Sequence, residues 1–233
     1  MKRKLLTICF LLVLILGVTI GFYKNNKPRQ IINISNPSEI EIKVNYESEI
    51  NELIQKYNNN DIIAYVEIPN ILKEPIVQTT NNDYYLHYDL YKKEKIEGAT
   101  FLDYRTKIGE SKKLLVYSHS DPEGTLPFVK LTNYNEKDFF EANKYIYLID
   151  SKEKRKYEVF SSYVETSDFD YVNLESFNGL TYKQHLEKLK SKSLVSNDIE
   201  LDDNSKILIL QTCSFDKDIN ANTKYQLVIA KEI

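Results

Sequence analysis

Ile207-Leu208-Ile209-Leu210-Gln211-Thr212-Cys213-Ser214-Phe215 is the stretch whose reading decides this chain. Four apolar residues, two of them β-branched, run straight into a cysteine. The run is too short and too β-branched for a helix and reads as a buried strand. Cys213 then stands at the strand's end, where core meets rim. Beyond it the chain turns polar through Asp216, Lys217, Asp218, Asn220 and Asn222. A second apolar run, Leu227-Val228-Ile229-Ala230, follows. One thiol is thus presented at the mouth of a strand–loop–strand unit, where it serves either packing or chemistry.

Outward from this unit, 18 Tyr, 10 Phe, no Trp and only 6 Gly in 233 residues favour a sheet-rich body. Strands are expected at 62–68, 76–78, 99–102, 114–117, 145–149 and 157–164. A Lys-rich turn at 150–156 makes the last two a hairpin. Tyr46, Ile50, Leu53, Ile54 and Tyr57 recur at helical spacing and predict an amphipathic helix over 46–58. A short helix is expected over 137–143. Thr181 can cap another that carries Tyr182, Leu186 and Leu189 on one side. Many short strands with few helices predict a mainly β fold, a closed or nearly closed barrel with helices as decoration. No linker divides 46–233, so one domain is expected there.

The start of the chain reads differently. Lys2-Arg3-Lys4 precedes an apolar run from Leu5 to Phe22, about the length a helix needs to cross hydrocarbon. No small-residue cleavage site follows, so 1–23 reads as a cytoplasmic flank and retained signal anchor. The cationic flank stays inside, which puts the remainder outside a cell membrane crossed once. Residues 24–45, with Pro28 and Pro37, read as a stalk with some loose helix. The formal charge is −3 overall and about −6 beyond the anchor. A mildly acidic outer part argues against nucleic acid as a partner.

Cys9 lies in the anchor and Cys213 is alone outside, so no structural disulfide is expected. No His/Cys/Asp cluster has metal-ligand spacing and no Gly-rich phosphate loop exists, so neither metal nor cofactor is expected. Of the three histidines, His87 and His185 lie beside apolar positions and read as structural or exposed. His119 follows the strand Leu114-Leu115-Val116-Tyr117 in a polar turn, a position analogous to that of Cys213. A thiol nucleophile needs a nearby imidazole to take its proton or pair with its anion, and the imidazolium can then protonate a leaving amine. Spacing alone leaves the blander reading open: a surface histidine and a core cysteine.

Leu210-Gln211-Thr212-Cys213 resembles the Leu-x-Thr-Cys signature of sortases. Asn82-Asp83-Tyr84-Tyr85-Leu86, Phe101-Leu102-Asp103-Tyr104-Arg105, Tyr117-Ser118-His119 and Lys190-Ser191-Lys192-Ser193-Leu194 resemble class B sortases in the same order, across about 46–233. The resemblance implies a closed barrel of about eight strands, with an N-terminal helix and a helix before the last two strands. It implies a cysteine transpeptidase. Cys213 would cleave a C-terminal sorting motif of a secreted protein, form a thioester, and pass it to an amine of a peptidoglycan precursor or a pilin lysine, with His119 as acid. It further implies a peptide groove lined by Asn82, Leu86, Ser118, Tyr171, Leu210, Gln211 and Thr212.

One departure from the family pattern stands out. Sortases carry an Arg near the start of the last strand that donates to the substrate carbonyl or oxyanion. Here that position holds Tyr225, with Lys224 beside it, and beyond the stalk only Arg105 and Arg155 exist. A phenol or ammonium replaces the Arg, another Arg reaches in, or the fold is catalytically impaired and serves as a binding or scaffold module. A second departure is Ser118, where the family often has Gly. The separate class of thiol transpeptidases that act on peptidoglycan crosslinks places His, Gly and Cys in one segment. His119 and Cys213 are 94 residues apart.

Overall fold

The computed structural model describes residues 31–32, 42–43, 45–195 and 197–233. The expected anchor and most of the expected stalk lie outside them. Within the stalk, Ile31–Ile32 pairs antiparallel with Ile42–Lys43. No helix among the described residues is long and apolar enough to cross a membrane.

Eight strands close on themselves. They are β1 (Ile62–Ile68), β2 (Leu72–Val77), β3 (Phe101–Leu102), β4 (Lys113–Tyr117), β5 (Tyr145–Asp150), β6 (Lys154–Glu165), β7 (Ile207–Cys213) and β8 (Tyr225–Glu232). Around the barrel the order is β8-β6-β5-β1-β2-β3-β4-β7, returning to β8. Most neighbours are antiparallel. β2–β3 and β4–β7 are parallel.

The apolar run of β7 is continuous because both of its faces are covered. Leu208 and Leu210 point into the barrel with Val66, Val116 and Val228. Ile207 and Ile209 point outward under helix α4 (Tyr182–Ser191), against Leu186 and Leu189. That helix starts where expected: Thr181 and Gln184 form a reciprocal capping box. Helix α1 (Tyr46–Tyr57) lays Ile50, Leu53 and Ile54 on Tyr65 and Ile149, and ends at Asn58 in the left-handed region. Two shorter helices, α2 (Tyr84–His87) and α3 (Lys137–Ala142), lie between strands. A 3₁₀ segment, Pro127–Asn135, carries Phe128, Leu131 and Tyr134 into the barrel core.

Three strand boundaries differ from expectation. β2 begins at Leu72 rather than Ile76, because Lys73, Glu74 and Pro75 disguise it. Pro75 pairs with Tyr65 where β2 has a neighbour on one side only, an edge-like stretch of the kind that tolerates proline. β3 is confined to Phe101–Leu102, with Ala99 held instead by its N–H to the Tyr85 carbonyl at 2.9 Å. β6 begins at Lys154, inside the expected turn. Arg155 is buried there because it pairs with Asp150 at 2.8 Å and with Glu153. Charge patterning reads this stretch as loop, whereas pairing makes it strand.

Gly98 joins the 88–98 loop to the barrel at φ +56°, and a Cβ there would lie 2.3 Å from the Tyr85 carbonyl oxygen. Gly98→Ala is expected to cost about 2 kcal/mol or more, lowering Tm by about 4–8 °C in thermal unfolding. An unchanged midpoint would mean that the loop yields freely.

Candidate active site

The parallel register of β4 and β7 pairs Val116 with Leu210 and Tyr117 with Gln211. Two residues further along both strands, His119 comes level with Cys213. The Ser118 N–H donates to the Gln211 carbonyl at 3.1 Å. Thr212 Oγ1 donates to the Ser118 carbonyl at 2.8 Å, and Ser120 Oγ to the Cys213 carbonyl at 2.6 Å. On the other side β8 sets Tyr225 directly opposite Cys213. His119, Cys213 and Tyr225 therefore come from the ends of three adjacent strands, whose backbones lie about 4.8 Å apart in the pairing direction.

They share one cleft of about 340 Å³ lined by Asn82, Leu86, Phe101, Tyr117, Ser118, His119, Gln211, Cys213 and Tyr225. His119 Nε2 lies 3.0 Å from the Leu86 carbonyl oxygen. A carbonyl only accepts, so Nε2 carries a proton and Nδ1 is the basic nitrogen of the neutral ring. Cys213 is a free, half-buried thiol, and burial raises its pKa above the ordinary value. In the resting protein it is therefore mostly protonated at neutral pH and needs a base to react.

Beneath the cleft lies Asp103, fully buried. Arg105 donates to it from Nε at 2.9 Å and from its terminal nitrogen at 2.7 Å. The Tyr117 hydroxyl at 2.9 Å and Asn82 Nδ2 at 3.0 Å donate too. Burial by itself pushes the Asp103 carboxyl up, but the bonds from Arg105, Tyr117 and Asn82 outweigh it and hold the group below its usual range. Asp103 thus orients two residues of the cleft wall.

The remaining expected residues divide. Asn82, Leu86, Ser118 and Gln211 line the cleft with His119 and Cys213. Leu210 and Thr212 do not, because alternation along β7 turns them into the barrel interior while Gln211 and Cys213 face out. Tyr171 is buried behind the cleft, its hydroxyl 2.7 Å from Gln211 Oε1. Lys224 extends its ammonium to the carbonyls of Asp216 and Ile219 rather than into the cleft. Neither guanidinium lines the cleft: Arg105 is held by Asp103 and Arg155 by Asp150. Phe101 and Tyr117 are cleft residues that pattern reading treated as plain strand.

The other two histidines lie apart from the cleft. His87 is exposed beside Asp83. His185 is fully buried under Phe177, with Nε2 2.9 Å from Lys113 Nζ. Burial and the Lys113 charge push the His185 pKa down to about 4, so its neutral ring accepts from lysine. Lys113 Nζ also holds the Asn173 carbonyl at 2.7 Å, which ties the segment after Tyr171 to the barrel.

Fold and site together define a class of protein: a closed barrel whose rim cleft sets one thiol beside one imidazole on parallel strand ends. The chain belongs to the sortase family, whose sortase domain model matches residues 66–233. Within that family it falls with class B. It is 31% identical over 163 residues to Sortase B of Listeria monocytogenes, an alignment covering 69% of this chain and 65%, just under two thirds, of that protein's length. The structure of Clostridium perfringens Sortase B superposes with a TM-score of 0.69 at 29% identity, covering 78% of this chain and 98% of that one. A Staphylococcus aureus sortase B–substrate complex gives a TM-score of 0.67 at 26% identity, covering 80% of this chain and 92% of that one.

Two measurements test this geometry. The depressed Asp103 pKa means that its stabilising contribution is fully present above its unfolded value of about 3.9 and is lost as pH falls through the lower folded value. Asp103→Asn is expected to cost about 2–3 kcal/mol at pH 7 in denaturant unfolding, moderated by the partial exposure of Arg105, with the difference shrinking toward pH 2. Iodoacetamide alkylation of Cys213 in the resting protein is expected to be slow at pH 7. It should climb about tenfold per pH unit past the ordinary thiol range near 8.5, because a raised pKa leaves less thiolate.

Proposed function

We propose that this chain is a membrane-tethered transpeptidase whose barrel faces outward and which joins secreted proteins to an amine. The single observation that carries this reading is the level placement of His119 and Cys213 in one cleft. His119 Nδ1 takes the thiol proton, and the thiolate attacks the carbonyl carbon of a scissile peptide bond in a sorting motif. The imidazolium then protonates the leaving amine as the C–N bond breaks, which leaves a thioester on Cys213. An incoming primary amine attacks the thioester carbon, gives up a proton to His119 and releases the thiolate. The apolar segment 5–22 holds the enzyme where such substrates emerge.

Tyr225 is the donor for the oxyanion. It stands opposite Cys213 in the strand register, and its hydroxyl has no partner among the described residues. A phenol offers one neutral hydrogen bond where a guanidinium offers a charged fork, so turnover should be slower than with Arg. The same substitution favours the second reading, a catalytically impaired sortase fold that binds without turnover.

Incubating the full-length protein with a library of sorting-type peptides, followed by intact-mass analysis, separates the two. The transpeptidase gains a thioester on Cys213 that Cys213→Ala abolishes and that forms about 10²–10⁴-fold more slowly in His119→Ala. Tyr225→Phe should lose about 10²-fold in rate if it is the sole oxyanion donor, and unchanged turnover would remove it from the mechanism. A peptide that binds in the cleft without ever acylating Cys213 would sustain the binding module instead.

A further inference from the structure

Gln211 is half-buried at the cleft, two residues before Cys213 on the same outward face of β7. It occupies the variable position of the Leu-x-Thr-Cys signature, so the signature assigns it no role. Its amide is nevertheless fixed. The Tyr171 hydroxyl donates to Gln211 Oε1 at 2.7 Å from behind the cleft wall. Tyr171 is 2% exposed, and its hydroxyl makes no other hydrogen bond among the described residues. Turning the amide over would leave a buried phenol proton unmet, so the oxygen faces Tyr171 and the nitrogen faces away. The two Nε2 protons have no partner among the described residues, and the open side of the amide is the cleft. Tyr171 is itself held. It lies in a 3₁₀ turn, Asp170–Val172, where Lys188 pairs with the Asp170 carboxylate and Lys113 Nζ donates to the Asn173 carbonyl at 2.7 Å. Burial first, and then Tyr225, Glu165 and Cys213, raise the Tyr171 pKa well above the ordinary phenol range. The phenol therefore stays protonated and keeps donating, and those neighbours set it close behind Tyr225 and Cys213.

We infer that Gln211 is a catalytic residue whose Nε2 donates to the oxygen of the scissile carbonyl, with Tyr171 as the positioning residue that aims it. The inference rests on the transpeptidase reading and deepens it. Tyr225 alone would leave the oxyanion one neutral donor where a guanidinium brings a charged fork. Gln211 stands along β7 from Cys213 and Tyr225 across from it on β8, so two neutral side chains divide the work of one cation. As the thiolate bonds to the carbonyl carbon, the C=O π pair moves onto oxygen and meets both donors. When that pair returns, the C–N bond breaks and the leaving nitrogen takes the proton held on His119. A donor fixed beforehand needs no reorientation as charge develops, which is the condition under which such groups act strongly. The Tyr171 bond meets that condition by removing the rotational freedom of the Gln211 side chain.

Single-turnover acylation of Cys213 in the full-length protein, followed by intact mass at rising concentrations of a sorting-type peptide, separates rate from affinity. Gln211→Met keeps the side chain's length without a donor. It is expected to lose about 10²-fold in the saturated rate, with the half-saturating concentration moving less than about twofold. Gln211→Glu still accepts from Tyr171 but cannot donate, and must lose at least as much. Tyr171→Phe is expected to lose about tenfold alone and nothing more when combined with Gln211→Met, because it acts only through the amide. An unchanged rate in both Gln211 variants, a change in half-saturation alone, or losses that multiply in the double variant overturn the assignment. A second measurement needs no turnover. N-acetyl-alaninal, labelled with ¹³C at the aldehyde carbon, adds to the thiol: sulfur bonds to carbon, the thiol proton ends on oxygen, and NMR reads the hemithioacetal. Its dissociation constant should rise about tenfold in Gln211→Met, and equal constants overturn the donor. If no peptide acylates the unaltered protein while the adduct keeps its Gln211 dependence, the transfer reading falls and the donor stands. Acylation that is indifferent to Gln211 sinks the donor alone.

Discussion

Everything at the rim depends on the parallel pairing of β4 with β7. Parallel neighbours end on the same edge of a sheet, so the residues that follow them emerge side by side. An antiparallel arrangement of the same strands would send Ser118-His119 and Thr212-Cys213 to opposite ends of the barrel. The pairing cannot be made by a short turn, and here the chain between Tyr117 and Ile207 contributes β5, β6 and α4 before it returns. Closure then adds β8 on the far side of β7 and brings Tyr225 into the same row. A barrel leaves no free edge, so the register of each pair is constrained by all the others.

The second constraint is a buried charge. Asp103 follows β3 and faces a dry interior, where an unpaired carboxylate would be costly. Arg105 supplies the counter-charge from two residues away through both Asp103 oxygens, and Tyr117 and Asn82 donate to Oδ2 as well. An ion pair that solves a burial problem thereby holds two walls of the cleft. Arg105 is thereby occupied, and the β7–β8 register sets the neutral Tyr225 opposite Cys213.

Much of the fold was legible because strands and helices differ in period. The apolar stretches Ile62–Ile68 and Ile207–Leu210, the amphipathic spacing of Tyr46 to Tyr57 and the cap at Thr181 all announce themselves locally. Leu72–Lys73–Glu74–Pro75 and Lys154–Arg155–Lys156 were illegible for the opposite reason. Their composition is that of a loop, and partners distant in sequence make them strands. Of the residues expected along the groove, those facing outward at the rim line it. Leu210 and Thr212 stand one position out of phase on β7 and turn inward. The motif that contains them spans both faces of one strand, and a motif does not record which face is which.

By itself the sequence determined the barrel class, the positions of a lone thiol and a comparably placed imidazole, and the oddity of Tyr225, because each of these is a matter of residue type and short-range period. Only the tertiary structure decided that His119 and Cys213 are level, that Asp103 underlies the cleft and that Lys224 is turned away. Those facts depend on register between strands about ninety residues apart. Local patterns carry no information about such pairings until the chain closes and burial selects one of them.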